Sequence, residues 1–203
     1  MTARTTTTAP SRAVNGELVL VLGPMFSEKT HEVARRINRA RLGGQHCVII
    51  RHPIDVRYGS KGSIRTHDGW TIEAGPATAD LGRLRIVEAA TLEEVKLDPD
   101  ELDIGIDEGQ FYSDLRGVID RWMQEGRRVC VSALDGDFRR KLFDPIAETI
   151  PLATQITKQS AVCMYCKQNA YYSARIVPSD EQILIGEKDK YRAACLSCYL
   201  QVQ

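Results

Sequence analysis

The sequence predicts an α/β fold in which a parallel-sheet domain precedes a small cysteine-rich module, and three stretches predict it. The first, ELVLVLGPMFSEKTHE from Glu17 to Glu32, runs from an unbroken aliphatic segment through a glycine-proline turn into a polar segment with helical spacing. The second, DIGIDEGQF from Asp103 to Phe111, is an apolar strand ending in two adjacent acids, Asp107 and Glu108. The third is a pair of CxxC units, Cys163 with Cys166 and Cys195 with Cys198, in the last quarter of the chain. A strand, a tight loop and a helix start make a phosphate-binding unit, and a neighbouring strand ending in acids is where such a domain completes a magnesium shell. The expected organisation is a flexible tail over 1–16, a phosphate-loop (P-loop) α/β nucleotide-binding domain over 17–158 and a zinc-binding domain over 159–203.

Each element has a reason. Leu18, Val19, Leu20 and Val21 form a run suited to a strand buried on both faces, and Gly23 and Pro24 end it. From Lys29 onward Val33 and Ile37, four apart with arginines between them, read as a helix. The loop between, Gly23, Pro24, Met25, Phe26, Ser27, Glu28, Lys29 and Thr30, matches Gly-x-x-x-x-Gly-Lys-Ser/Thr at Gly23, Lys29 and Thr30 and departs from it at Glu28, where a glycine is expected. In such a loop backbone N–H groups face the phosphates, the lysine neutralises the terminal ones and the hydroxyl reaches magnesium. An ordinary strand-to-helix turn carrying a lysine is the simpler alternative for the loop taken alone.

Arg41 to Gly44 end the first helix, and His46 to Arg51 form a second strand. Cys47 in that strand, and Cys130 further on, read as small core residues and not as reactive thiols. His52 to Gly69 is charged and glycine-containing, a functional loop whose Asp55, Arg57, Thr66, His67 and Asp68 are candidates to face phosphates or magnesium; a solvated surface loop fits the composition equally well. Arg85 to Ala89 is a further strand, and Thr91 with Glu94 makes a capping-box pattern that predicts a helix start within Thr91 to Leu97. At Asp107 and Glu108, one acid for the metal leaves the other for proton transfer. A helix is expected over Ser113 to Glu125, with Leu115, Val118, Ile119 and Trp122 on one stripe and Gly126 closing it. Arg127 to Leu134 is the next strand, followed by a loop in which Phe138 and Phe143 stand among Arg139, Arg140 and Lys141; these either bracket a base and its phosphates or pack the loop against the domain.

A chain of 203 residues accommodates one α/β domain with an appendage. With 27 basic and 27 acidic residues, nothing favours a non-specific hold on nucleic acid or an anionic membrane. No apolar run reaches the length of a membrane span, and the threonine-rich start lacks the apolar core of a signal peptide; its weak likeness to a transit peptide is offset by the missing amphipathic pattern. A cytoplasmic protein is expected. That absence favours a zinc site over disulfides for the two CxxC units, and four thiolates close the metal shell, so the zinc is structural and not catalytic.

The segments GPMFSEKT, THDG, GIDEGQFY, ALDGDFRRKLF, AVCMYC and DKYRAACLSCY, in this order, resemble the zinc-containing thymidine kinases, the human cytosolic type with its bacterial and viral relatives. The resemblance covers nearly all of residues 17–200. It implies a kinase that moves the γ-phosphate of ATP to the 5′-hydroxyl of thymidine, and of deoxyuridine, to give dTMP in nucleotide salvage for DNA synthesis. It places ATP on Gly23 through Thr30 with Gln110 in the same set, Asp55 and Arg57 near the phosphates, Asp107 near Mg²⁺ and Glu108 as the catalytic base. Thymine would lie among Met25, Phe111, Leu134, Phe138 and Tyr191, with Ser173 at the methyl pocket where many relatives have threonine. Backbone of a lasso loop, here Gln182, Ile183, Leu184, Ile185 and Gly186, would hold its polar edge, with register set by the structural Zn²⁺ at Cys163, Cys166, Cys195 and Cys198. The same resemblance implies a homotetramer, feedback by dTTP, and neither nucleic acid nor membrane as partner. A nucleotide-binding relative whose turnover is impaired by Glu28 is the rival reading; a zinc-ribbon module on nucleic acid is a third, disfavoured by neutral charge and the kinase-like first half.

Overall fold

A computed structural model of the protein describes residues 16–54, 62–65 and 71–202, the side chain of Arg65 excepted. Asp55, Arg57, Thr66, His67 and Asp68, and residues 1–15 of the expected tail, lie outside the described residues. Strand β1 (Glu17–Gly23) leads through the glycine-proline loop into helix α1 (Lys29–Leu42) and strand β2 (His46–Arg51). The short strands β3 (Ser63–Arg65) and β4 (Thr71–Glu73) pair antiparallel, after which β5 (Leu84–Glu88) and β6 (Glu101–Ile106) follow. Helix α2 (Leu115–Gln124), strand β7 (Arg128–Leu134), helix α3 (Asp144–Thr149) and strand β8 (Gln155–Lys158) come next. The last part holds strands β9 (Ala161–Val162), β10 (Asn169–Ala170), β11 (Tyr172–Arg175) and β12 (Tyr191–Ala194) and helix α4 (Leu196–Val202).

The central sheet has six strands in the order β5-β2-β6-β7-β1-β8, and every neighbouring pair is parallel. Helices cover both faces, which is why the strands read as unbroken apolar runs. On one face Leu18, Leu20 and Leu22 meet Leu115, Val118, Ile119 and Trp122 of α2 and Ile146 of α3. On the other, Val21 and Ile49 meet Val33, Ala34 and Ile37 of α1. Gly105 lets α1 lie close to β6, since a Cβ there would come within 3.0 Å of both Val33 and Ile37. Cys47 and Cys130 are buried in this second core, and burial pushes both thiols up to about 12, so they stay protonated and inert. Among the described residues, no helix is long and apolar enough to cross a membrane.

The helix start expected at Thr91 is not formed; the segment is a turn, with Val95 N–H donating to Leu92 O at 3.1 Å. Leu92 is fully buried in the first core, and Pro99 lies just downstream, so tertiary burial and the extended bias before proline outweigh a local capping pattern. Gly16, assigned to the tail, instead lies against the backbone of Met123. Strand β8 and helix α3 carried no clear periodic signal: β8 reads QITK, largely exposed and, among the described residues, an edge strand paired only with β1. Register is what prepares the site. Gly23 stands opposite Leu134 and Ile106 opposite Val131, so β1, β7 and β6 release their carboxyl ends side by side, where open α/β sheets bind ligands.

Candidate active site

The loop after β1 folds around its own polar groups. Ser27 Oγ donates to Pro24 O at 2.8 Å, and the ammonium of Lys29, a side chain buried to 7% exposure, donates to the same carbonyl at 2.7 Å. Phe26 (φ 65°) and Glu28 (φ 61°) both take the left-handed conformation, which costs a non-glycine residue about 1–2 kcal/mol. Glu28 is the N-cap of α1: its carbonyl accepts from Glu32 N–H at 3.1 Å, while its side chain is exposed and makes no capping bond. The glutamate therefore keeps the backbone shape expected of glycine and turns its carboxylate to solvent. The 14-residue helix behind it presents its positive dipole end to the loop.

Two acids end β6 with opposite surroundings. Asp107 is buried and accepts from Thr30 Oγ1 at 2.9 Å and from Ser132 Oγ, which joins the loop hydroxyl and the strand-end carboxylate into one oxygen cluster. Glu108 is half-buried with φ 53°, and its N–H donates to Ser132 Oγ at 3.4 Å. Gln110 Nε2 donates to Glu108 Oε2 at 2.6 Å, while Gln110 Oε1 accepts from Leu134 N–H at 3.0 Å. Held by backbone at one end, the buried Gln110 amide fixes the direction of the Glu108 carboxylate.

The cysteine-rich module brings the Sγ atoms of Cys163, Cys166, Cys195 and Cys198 within 4.8 Å of one another. Zn–S bonds of about 2.3 Å in a tetrahedron separate sulfurs by roughly 3.8 Å, so the donor set and its compactness fit a closed structural zinc site. The segment between the CxxC units is not one long loop. Strands β11 and β12 pair antiparallel from Tyr172 opposite Ala194 to Arg175 opposite Tyr191, leaving 176–190 as the free loop. Its register thus rests on a hairpin ladder as well as on the cysteines. The module grips the loop after β1: Met25 N–H donates to Ser173 Oγ at 3.0 Å, and Phe26 packs against Ala161, Cys163, Ala170 and Ala193.

Between these parts lies a cleft of about 990 Å³, lined by Met25, Phe26, Ser27, Glu28, Lys29 and Thr30 from the loop, Glu108, Gln110 and Phe111 from the end of β6, and Leu134 and Phe138 after β7. Ser173, Gln182, Ile183, Leu184, Ile185, Gly186 and Tyr191 close it from the module. Gly23, Pro24 and Asp107 are buried beside it. The aromatic-cationic loop resolves into separate roles: Phe143 is packed into the core with an edge on the cleft, Arg139 pairs with Asp180 at 2.7 Å, and Arg140 stacks on Tyr199 at 5.0 Å. Arg139 also lies over the Phe138 ring at 4.8 Å, so both arginines contact aromatic rings, as the packing alternative expected. Ser132, Asp137 and Arg175 were not singled out by sequence. Ser132 links the two acids, and Asp137 Oδ2 accepts from Gln182 Nε2 at 3.3 Å across the cleft mouth. The available signal for Ser132 was a hydroxyl within the otherwise apolar run VCVSAL; the partners of Asp137 and Arg175 are too distant or too local in backbone for any motif to mark.

Comparison with known proteins matches residues 16–199 to the family described as thymidine kinase. The thymidine kinase of Myxoma virus (strain Lausanne) is 39% identical over 184 residues, covering 91% of this chain and 96% of the viral protein. The cytosolic thymidine kinase of Gallus gallus is 39% identical over 186 residues, covering 92% of this chain and 78% of its own length. That of Homo sapiens is 39% identical over 193 residues, covering 95% and 76%. With the parallel sheet and the four-cysteine cluster in place, this chain belongs to the thymidine kinase family of phosphate-transferring enzymes.

Proposed function

We propose that the protein transfers the γ-phosphate of ATP to the 5′-hydroxyl of thymidine, and of deoxyuridine, giving dTMP. The observation that carries this reading is the carboxylate of Glu108, aimed by Gln110 into a cleft that a phosphate loop bounds on one side and the 182–186 backbone on the other. Backbone N–H groups of 24–30 and the Lys29 ammonium hold the phosphates; the lysine exchanges Pro24 O for phosphate oxygen. Thr30 and Asp107 would hold Mg²⁺, which neutralises phosphate charge when bound. Glu108 takes the proton from the 5′-hydroxyl as that oxygen attacks in line. Met25, Phe111, Leu134, Phe138 and Tyr191 sandwich the base, Ser173 borders its methyl group, and Gln182 to Gly186 meet its polar edge. The domain boundaries at 17–158 and 159–203, the structural zinc, a homotetrameric cytoplasmic enzyme and feedback by dTTP belong to the same proposal. Transfer of label from γ-labelled ATP to thymidine by purified protein tests it; no labelled dTMP at saturating substrates overturns it.

Glu28 supports a modifying role within that reading, because it lines the cleft with a left-handed backbone and an exposed carboxylate. A carboxylate about 4 Å from a phosphate charge is repelled by about 1 kcal/mol in water, roughly fivefold in affinity. Glu28→Gly is expected to tighten ATP by roughly five- to tenfold, leave thymidine affinity within about twofold, and raise stability by about 1 kcal/mol through release of backbone strain. Titration of each ligand and thermal unfolding check this; unchanged ATP affinity and turnover would show that the loop accepts glutamate without penalty.

A further inference from the structure

The loop 176–190 has no ladder of its own beyond the hairpin at its base, and ordering such a loop costs conformational freedom. One buried side chain holds three of its carbonyls directly and a fourth through a tyrosine hydroxyl. Arg175, 5% exposed at the end of β11, donates from Nη1 to Ser179 O at 3.0 Å and Glu181 O at 2.5 Å, and from Nη2 to Gln182 O at 3.2 Å. Nη2 also donates to Tyr191 Oη at 2.8 Å, and that hydroxyl donates onward to Leu184 O at 2.9 Å. The guanidinium carbon lies 3.7 Å from the ring centre of Phe138, on the opposite wall of the cleft mouth. Fork geometry, permanent charge and a flat stacking face are properties of arginine that lysine lacks. Arg175 itself is not on the cleft surface.

We propose that Arg175 is a positioning residue for nucleoside recognition: it sets the carbonyl pattern of the covering loop and the tilt of Phe138, and touches no substrate. This rests on the reading that the loop covers the base. The test uses the full-length, zinc-loaded protein as Arg175→Met and Arg175→Lys. Arg175→Met is expected to raise the thymidine KM by roughly tenfold or more, with kcat within about threefold, the ATP KM within about twofold and bound zinc unchanged. Arg175→Lys should recover only a minor part, because an ammonium cannot serve three carbonyls and stack flat. An unchanged thymidine KM in Arg175→Met, full rescue by lysine, or joint loss of both KM values and zinc overturns the proposal. If the parent protein does not phosphorylate thymidine, the functional reading has failed, and the positioning role is decided by limited proteolysis of ligand-free protein. Cleavage within 176–190 should then be roughly tenfold faster in Arg175→Met, with cleavage elsewhere unchanged; equal rates overturn it.

Discussion

Glu108→Gln is expected to lower turnover by roughly 10²- to 10⁴-fold while thymidine affinity changes less than about threefold. The amide has the shape of the carboxylate, and Gln110 Nε2 can still donate to its oxygen in place of the 2.6 Å bond it makes to Glu108. In the proposed mechanism, what the variant lacks is a group that accepts the proton of the attacking hydroxyl. Folding is a small concern, since Glu108 is only half-buried and its left-handed backbone is shared by any side chain placed there. Single-turnover transfer from labelled ATP and calorimetric titration of thymidine separate the two effects. If more than about a tenth of parental activity remains, Glu108 is not the base.

Cys163→Ser should release bound zinc and weaken thymidine on the order of a hundredfold, with ATP affected by less than about tenfold. Cys163 is fully buried beside Ala161, Ala170 and Ala193, and the four sulfurs share one compact cluster, so loss of one ligand unfastens both halves of the module. The covering loop 176–190 would lose one of the two supports at its base, the other being the β11–β12 ladder. ATP is expected to suffer less because the loop proposed to hold it is built on β1 and α1 in the other part of the chain, although Phe26 and Met25 touch the module and transmit some of the loss. Metal analysis together with separate titration of the two ligands checks this. Equal loss of both affinities would mean global unfolding and not an opened nucleoside site.

The parallel sheet, the stripe of α2 and the four cysteines were legible in the sequence because each rests on a local pattern. Buried strands read as aliphatic runs, Leu115, Val118, Ile119 and Trp122 repeat at helical spacing, and two CxxC units are a ligand set in themselves. Lys29, Thr30, Asp107 and Glu108 could be picked out as candidates for the same reason, since a glycine-to-lysine loop and an acid-tipped strand are each contiguous in the chain, and the fold brings the four to one end of the sheet. Local pattern also misled at Thr91, where a capping box lost to the burial of Leu92. The backbone state of Glu28 was not readable: the sequence shows a residue ill-suited to the left-handed region, and only the folded loop shows that it adopts that conformation and turns outward. Tertiary structure alone decided the pairings across the cleft. Thr30 meets Asp107 because β1 and β6 flank β7 in register, Gln110 reaches Leu134 N–H across the same strands, and Arg175 finds Phe138 only once the module has folded back over the sheet. These contacts join residues far apart in the chain, and their strength comes from burial that no segment possesses by itself.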